Sequence, residues 1–297
     1  MILERKMQKY IKKGYAKINL HLDVTGILDN GFHRVATVMQ SVSLCDTVTL
    51  TKREDDKITI SCDVPGVPCN ESNLAARATA LYLERTGIRM GAHIDIEKHI
   101  PMAAGLAGGS ADAAATLLAI NEACGEPLSL DELCAIASEL GSDVPFCLVG
   151  GAALGEGKGD VLTPLPKMPD CTLLVACGGE GVSTPWAYRE LDRIYGGFLS
   201  ADLYAPKDTA ALMSALGDGD LGRVASNIYN VFEAPVLSCR PVAASLKDAM
   251  LQDGAIGAMM SGSGPSVFGI FEREADALSA AENIGKMGVT PHICKPI

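Results

Sequence analysis

The stretch from 101 to 115 reads Pro-Met-Ala-Ala-Gly-Leu-Ala-Gly-Gly-Ser-Ala-Asp-Ala-Ala-Ala, and nothing else in the chain narrows the fold as much. Before it, His93-Ile-Asp-Ile-Glu97 alternates apolar and polar residues with the period of a strand. After it, the Ala-rich run from about Ser110 to Cys124 has helix-forming composition. A strand therefore feeds a helix through a loop almost free of side chains. Such a loop lets main chain approach a ligand closely, because no bulk intervenes. The helix start adds N–H groups without intrahelical partners and a partial positive charge. Together they describe an anion site suited to a nucleotide polyphosphate. A tight turn onto an Ala-packed helix would use the same residues. A Walker loop is excluded, since no Gly-Lys-Ser/Thr follows, and the Gly-x-Gly-x-x-Gly dinucleotide spacing is missing.

The loop has to work against the rest of the molecule. The chain carries 25 Lys and Arg against 36 Asp and Glu, a net charge of -11. That surface repels phosphate backbones, and aromatics at 5% offer few stacking platforms, so no nucleic-acid partner is expected. With 48% hydrophobic and 21% charged residues, the 297-residue chain is an ordered protein of one large domain or two ordinary ones. No apolar run is long enough for a membrane span, and the basic start MILERKMQKYIKKGYAK lacks the apolar stretch of a signal peptide. Ten cysteines without Cys-x-x-Cys spacing read as small buried hydrophobes in a reducing, cytoplasmic setting.

Elsewhere the patterning is mixed, which argues an α+β fold. Residues 16–24, Ala-Lys-Ile-Asn-Leu-His-Leu-Asp-Val, alternate as a half-buried strand, with Lys17, Asn19, His21 and Asp23 on one face. Strands are expected near 37–51 and 57–62. A helix follows Ser72-Asn73 and ends at Gly87, with Asn73 as its cap. Ser129-Leu-Asp-Glu132 is a capping box for a helix that stops at Gly141. The three prolines of 163–170 suggest a connector, which divides the chain into an N-terminal domain of 1–163 and a C-terminal domain of 164–297. Beyond it a strand (171–176), a helix (184–195), a largely helical stretch (208–252), two strands (255–260 and 266–271) around a Gly loop, a helix (274–287) and a last short strand are expected.

Pro101–Ala114 resembles the Pro-x-x-x-Gly-Leu-Gly-Gly-Gly-Ser-Ser-Asp-Ala-Ala phosphate loop of the GHMP kinases, the superfamily of galactokinase, homoserine kinase and mevalonate kinase. Ala16-Lys-Ile-Asn-Leu20 with Gly31-Phe-His33, and Gly141-Ser-Asp-Val-Pro-Phe146, resemble segments of the branch that acts on a cytidine diphosphate ester of methylerythritol. Met260-Ser-Gly-Ser-Gly-Pro-Ser-Val-Phe268 resembles the superfamily's third motif. The likeness runs in order from about 15 to 272. It departs at Ala107 and Ala111, where Gly and Ser are common, and at Phe32, where Tyr is usual.

The resemblance implies a two-domain α+β fold. Its N-terminal domain would be similar to domain 2 of ribosomal protein S5 and its C-terminal domain ferredoxin-like, with the active site in the cleft between them and the last strand free to rejoin the first domain. It implies ATP as co-substrate with Mg²⁺, and phosphorylation of the 2-hydroxyl of the methylerythritol ester in isoprenoid precursor synthesis. ATP would lie on Pro101, Met102, Ala103, Ala104, Gly105, Leu106, Ala107, Gly108, Gly109, Ser110 and Ala111, its base near Asn73 and Lys98. Ser110 is the candidate contact to the metal. Asp143 would take the hydroxyl proton and Lys17, expected close to it, would stabilise the charge. Phe32 and Tyr188 would sandwich the cytosine, His33 read its edge, and Asn19, Thr184, Gly262, Ser263 and Gly264 border the acceptor. Each residue also has an ordinary reading: solvated lysines at 17 and 98, a helix cap at Asn73, Ser110 or Thr184, a turn aspartate at Asp143, core aromatics at Phe32 and Tyr188, a surface histidine at His33, and a hairpin at 262–264. Two rivals follow from the same residues. One is a superfamily kinase for homoserine or a mevalonate derivative, which leaves Phe32, His33 and Tyr188 without a task. The other is a non-catalytic nucleotide sensor, against which the pair Lys17 and Asp143 argues.

Overall fold

The computed structural model describes residues 8–198 and 204–297, so the first seven residues of the basic start lie outside it. Two compact units emerge, and neither is a single run of chain. The first takes the described residues up to Ala16, then Cys45–Ile100 and Ala107–Val149; the second takes Lys17–Leu44, Pro101–Leu106 and Gly150–Ile297.

In chain order, β1 (Lys9–Ile27), β2 (His33–Arg53) and β3 (Ile58–Cys62) precede α1 (Leu74–Thr86), β4 (Gly91–Glu97), α2 (Gly108–Ala123), α3 (Leu130–Leu140) and α4 (Val144–Val149). In the first unit β4 lies antiparallel to β2, from Thr47 opposite Glu97 to Arg53 opposite Gly91. β3 lies parallel to β4. The helices cover this sheet through a core that includes Tyr10, Leu50, Tyr82, Leu117, Ile120, Leu133 and Ile136. α2 is apolar nearly all round, as a helix buried on several sides must be. It approaches β1 closely enough that a Cβ on Gly14 would meet the Ala111 carbonyl at 2.5 Å. α1 starts where expected, because the Asn73 side chain accepts from the Ala75 N–H, and it stops at Gly87 in the left-handed region. The capping box of α3 is present in both directions.

The second unit continues with β5 (Ala152–Glu156), β6 (Val161–Leu165), β7 (Thr172–Cys177) and α5 (Thr184–Tyr195). Then come α6 (Ala210–Asp218), α7 (Leu221–Ser226), β8 (Tyr229–Asn230), α8 (Glu233–Cys239) and α9 (Pro241–Gln252). β9 (Gly257–Met260), β10 (Ser266–Phe271), α10 (Glu274–Lys286) and β11 (Pro291–Cys294) end the chain. β7, β9, β10 and β11 form an antiparallel sheet in the order β11-β7-β10-β9. Numbered along the chain, that order is fourth, first, third, second, with helices between the first and second strands and between the third and fourth. This is the ferredoxin-like arrangement. Leu174, Leu246, Met250, Phe271 and Ile284 fill its core. After β11 the chain turns back to β2, where the Ser43 N–H donates to the Lys295 carbonyl at 2.8 Å.

Several local readings need correction. The alternating face of β1 is not half-buried, since Lys17, Asn19, His21 and Asp23 are as sequestered as Ile18 and Leu20 opposite them. Alternation reports which residues share a face, not whether the polar face is wet. Residues 152–165 form a hairpin of β5 and β6, and Pro164 is tolerated in β6 because that strand pairs on one side only. β8 interrupts the helical stretch of 208–252. The helix after the small-residue loop begins at Gly108, so Ser110 is its third residue rather than its cap.

Candidate active site

In the second unit, the loop from Pro101 to Leu106 is held by its carbonyls. Ala104 accepts from the Ser266 N–H at 3.2 Å, Gly105 from the Ser261 hydroxyl at 3.0 Å, and Leu106 from the Lys17 N–H at 3.1 Å. In a planar trans peptide the carbonyl and the next N–H point in opposite directions. The amides of Gly105, Leu106 and Ala107 are therefore turned away from these partners. This is how a main chain presents a row of donors to an anion. Ala103 (φ 50°), Gly105 (φ 79°) and Ala107 (φ 59°) lie in the left-handed region. Only glycine fits at 105, where a Cβ would meet the Ser261 carbonyl at 2.2 Å. Ala104 and Leu106 are buried and Met102 is exposed, so the first two can offer a ligand only main chain.

In the first unit the loop becomes α2. The first N–H with an intrahelical acceptor is that of Ala111, on the Ala107 carbonyl at 2.8 Å. Gly108, Gly109 and Ser110 precede it, so their amides are the orphan donors of the helix start. Ala111 is buried. Beneath this helix start sits a buried triad. The Lys98 ammonium bonds Asp46 and lies 2.7 Å from Asp112, with side-chain exposures of 5%, 0% and 5%. A Cβ on Gly108 would come within 3.3 Å of the Lys98 nitrogen. Asp46 also accepts the N–H groups of His99 and Ile100, at 2.6 and 2.8 Å, whereas Asp112 Oδ1 has no hydrogen-bond partner. Burial pushes Asp112 up to about 7 in spite of Lys98. Burial alone would lower Lys98, but Asp112 and Asp46 outweigh it and raise it above the usual lysine range. Asp46 and Asp112 were not among the residues marked in the sequence, and 52 residues separate Asp46 from its lysine. Asn73 is also committed: besides capping α1 it donates to the Pro68 carbonyl at 2.8 Å. Asp143, half-buried, immediately precedes α4, and its carbonyl accepts from the Cys147 N–H at 3.1 Å.

The remaining marked residues gather in the second unit. The Lys17 ammonium donates to Asn19 Oδ1 at 2.8 Å, and Asn19 donates to the Thr37 hydroxyl at 2.8 Å. Thr37 in turn donates to the His21 carbonyl, so Lys17 stands at the end of a buried relay that fixes its direction. Gly262, Ser263 and Gly264 do lie in the hairpin connection of β9 and β10. That hairpin packs main chain to main chain against Gly105, with a Cβ on Gly262 only 3.0 Å from the Gly105 carbonyl. The Asn230 amide anchors it on the carbonyls of Met260 and Gly262. Ser263 and Thr184 share a hydrogen bond of 2.9 Å, tying the hairpin to the first residue of α5. On α5, Tyr188 stacks on His33 with ring centroids 4.5 Å apart and meets the edge of Phe232 at 4.9 Å. One turn on, Asp192 holds His33 Nε2 at 2.7 Å. Asp192 was missed, although its position four residues after Tyr188 puts it on the same helix face. Phe32 is 60% exposed beside them in sequence, on the turn before β2. Lys17 and Asp143 belong to different units.

Among the described residues no group of three or more His, Cys, Asp or Glu could hold a metal ion, and no helix is long and apolar enough to cross a membrane. Among the described residues no two cysteines are joined in a disulfide.

Comparison with known proteins gives the family. Residues 73–151 match the N terminal domain of the GHMP kinases and residues 212–290 match their C terminal domain. A Caldicellulosiruptor saccharolyticus protein named 4-diphosphocytidyl-2-C-methyl-D-erythritol kinase is 43% identical, covering 92% of each chain. One of the same name from Alkaliphilus metalliredigens is 40% identical over 97% of this chain and 96% of its own. A crystal structure of 4-(cytidine 5'-diphospho)-2C-methyl-D-erythritol kinase superposes with a TM-score of 0.79 at 31% identity, covering 96% of this chain and 98% of that one. The Methanococcus jannaschii mevalonate kinase, at 14% identity and a TM-score of 0.73, shares the fold. The chain belongs to the GHMP kinase family, in the branch with these full-length relatives, and is an ATP-dependent small-molecule kinase.

Proposed function

We propose that this kinase transfers the γ-phosphoryl group of ATP to the 2-hydroxyl of 4-diphosphocytidyl-2-C-methyl-D-erythritol, giving the 2-phosphate and ADP in isoprenoid precursor synthesis. The observation that carries the acceptor is the Tyr188–His33 stack held by Asp192, with the exposed Phe32 next to His33. A pyrimidine needs ring faces and an edge-reading group. Homoserine and mevalonate need neither. The names of the full-length relatives support the same choice.

In this reading the outward amides of 105–110 hold the triphosphate, with Pro101–Ala104 and Ala111 shaping the loop. Asn73 and Lys98 flank the base, and Lys98 does so through main chain, because its ammonium is engaged by Asp46 and Asp112. Asp143 takes the proton of the attacking hydroxyl as the oxygen–phosphorus bond forms. Lys17, oriented through Asn19, stabilises the negative charge that develops in transfer. Thr184 and the 262–264 hairpin border the acceptor. Mg²⁺ neutralises the phosphates when bound. The chain offers it one hydroxyl, Ser110 at the helix start, a donor set suited to an ion held mainly by phosphate and water. Ten cysteines without a disulfide among the described residues support a reducing, cytoplasmic setting.

The test is to supply ATP, Mg²⁺ and the cytidine diphosphate ester, then follow ADP release and the new phosphomonoester by phosphorus NMR, with homoserine and mevalonate as controls. Turnover of a control in place of the ester, or indifference to CDP as a competitor, would overturn the acceptor.

A further inference from the structure

His21 and Asp23 share the β1 face with Lys17 and Asn19, yet phosphoryl transfer gives them no task. They are 1% and 0% exposed. A carboxylate so placed must find its hydrogen bonds within the protein. Asp23 finds two of them in one segment far along the chain. It accepts from the Tyr204 hydroxyl and, at 2.7 Å, from the Lys207 N–H; a third comes from Val24 at 2.8 Å. The His21 ring lies beside the main chain of Lys207 as well. The Lys207 ammonium lies 4.1 Å from the centroid of the Tyr229 ring, which in turn lies 5.6 Å from His21. Residues 204–207 are thus pinned to β1 at both ends of a short segment.

That segment bears on α5. The Tyr204 ring lies 4.4 Å from that of Tyr195, the last residue of the helix. Tyr188, Tyr195, Tyr204 and Tyr229 all pack on the cluster that holds Leu191 and Phe232. Helix α5 is therefore fixed at its start by the Thr184–Ser263 bond and at its end through Tyr204.

We infer that Asp23, assisted by His21, is a positioning residue for the acceptor: by clamping residues 204–207 it sets the end of α5, and with it Tyr188 and the Asp192–His33 pair. The inference rests on the cytidine reading above. Asp23 touches no substrate and takes no part in the transfer itself.

The test uses the full chain with Asp23→Asn and Tyr204→Phe. Steady-state kinetics with the cytidine diphosphate ester should show its KM raised about tenfold in Asp23→Asn and about threefold in Tyr204→Phe, from the ordinary worth of such hydrogen bonds. Inhibition by CDP should weaken by the same factors. Both kcat and the KM for ATP should stay within about twofold, because the atoms they depend on are untouched. A merely structural role would lower the melting temperature and leave both acceptor constants where they were. Should Asp23→Asn not fold, Tyr204→Phe is read alone, since it removes one hydroxyl. Amide hydrogen exchange over 184–195 gives a second readout that needs no substrate, and the inference expects faster exchange in both variants. If the unmodified chain turns over the ester but neither variant moves its KM, or if exchange over α5 is unchanged, the inference is wrong. If the unmodified chain ignores the ester while α5 exchange does accelerate, the clamp stands and the choice of acceptor is what failed.

Discussion

Replacing Lys98 by Met keeps much of the side chain's bulk and removes the charge that, among the described residues, pairs with both Asp46 and Asp112. The three side chains are 5%, 0% and 5% exposed, so water does little of that work. Removing one partner of a buried ion pair costs about 3–5 kcal/mol, because the remaining charge has no compensation. Here two carboxylates remain, and Asp46 pushes Asp112 up further. The sign of the pH dependence follows. Asp112 already titrates at about 7 in the folded protein, against about 3.9 when unfolded. Between those values the folded state binds more protons, so stability falls as pH rises through the window. In Lys98→Met the Asp112 window extends upward, because the ammonium that opposes its burial is gone. The deficit should be about 3–5 kcal/mol near pH 7.5 and should shrink by roughly 1.4 kcal/mol per pH unit as Asp112 is protonated on the way to pH 5. Urea unfolding followed by circular dichroism measures it. Fluorescence is a poor choice, since the sole tryptophan, Trp186, lies in the other unit. Adding Asp112→Asn should restore part of the loss. A Lys98→Met protein within about 0.5 kcal/mol of the parent at every pH, with only a raised KM for ATP, would refute the reasoning. The ammonium would then be a solvated ligand for the nucleotide.

Four further outcomes are expected. Asp143→Asn should lower kcat by about 10²–10⁴-fold with little change in either KM, the signature of a lost base in single-turnover assays. Tyr188→Ala should raise the KM for the ester by about 5–100-fold and leave that for ATP unchanged, from the worth of one base–aromatic stack. Ala107→Gly should stabilise the chain by about 1 kcal/mol in thermal melts, because it relieves a left-handed alanine. Gly105→Ala should abolish ATP binding in calorimetry, since its Cβ would drive the loop off the Ser261 carbonyl.

The parts of the molecule written locally could be read without coordinates. Helix α5 runs between a serine followed by Thr-Pro and a left-handed Gly196, so its limits are signalled at both ends. The capping box of α3 and the Asn73 cap of α1 are of the same kind. Other features depend on residues far apart in sequence, and there single-residue reasoning fails. Nothing in Ala-Lys-Ile-Asn-Leu-His-Leu-Asp says that both faces will be covered, because the cover for Asp23 comes from residues about 180 positions on. Lys98 reads as a strand-end lysine until Asp46 and Asp112 are placed beside it. α4 is six residues long with a proline in its first turn, too short to carry a period. The strand–loop–helix order around 101–115 was legible for the opposite reason: a run of small residues leaves main chain open, whatever distant residues do.

The inward carbonyls of Ala104, Gly105 and Leu106 also bear on how this protein can change under selection. The amides they turn outward belong to the polypeptide itself, and no codon substitution short of proline deletes one. On the proposed reading, an inhibitor that borrowed those donors would face a binding surface that can be escaped only by adding bulk, and at position 105 even a methyl group would deform the loop.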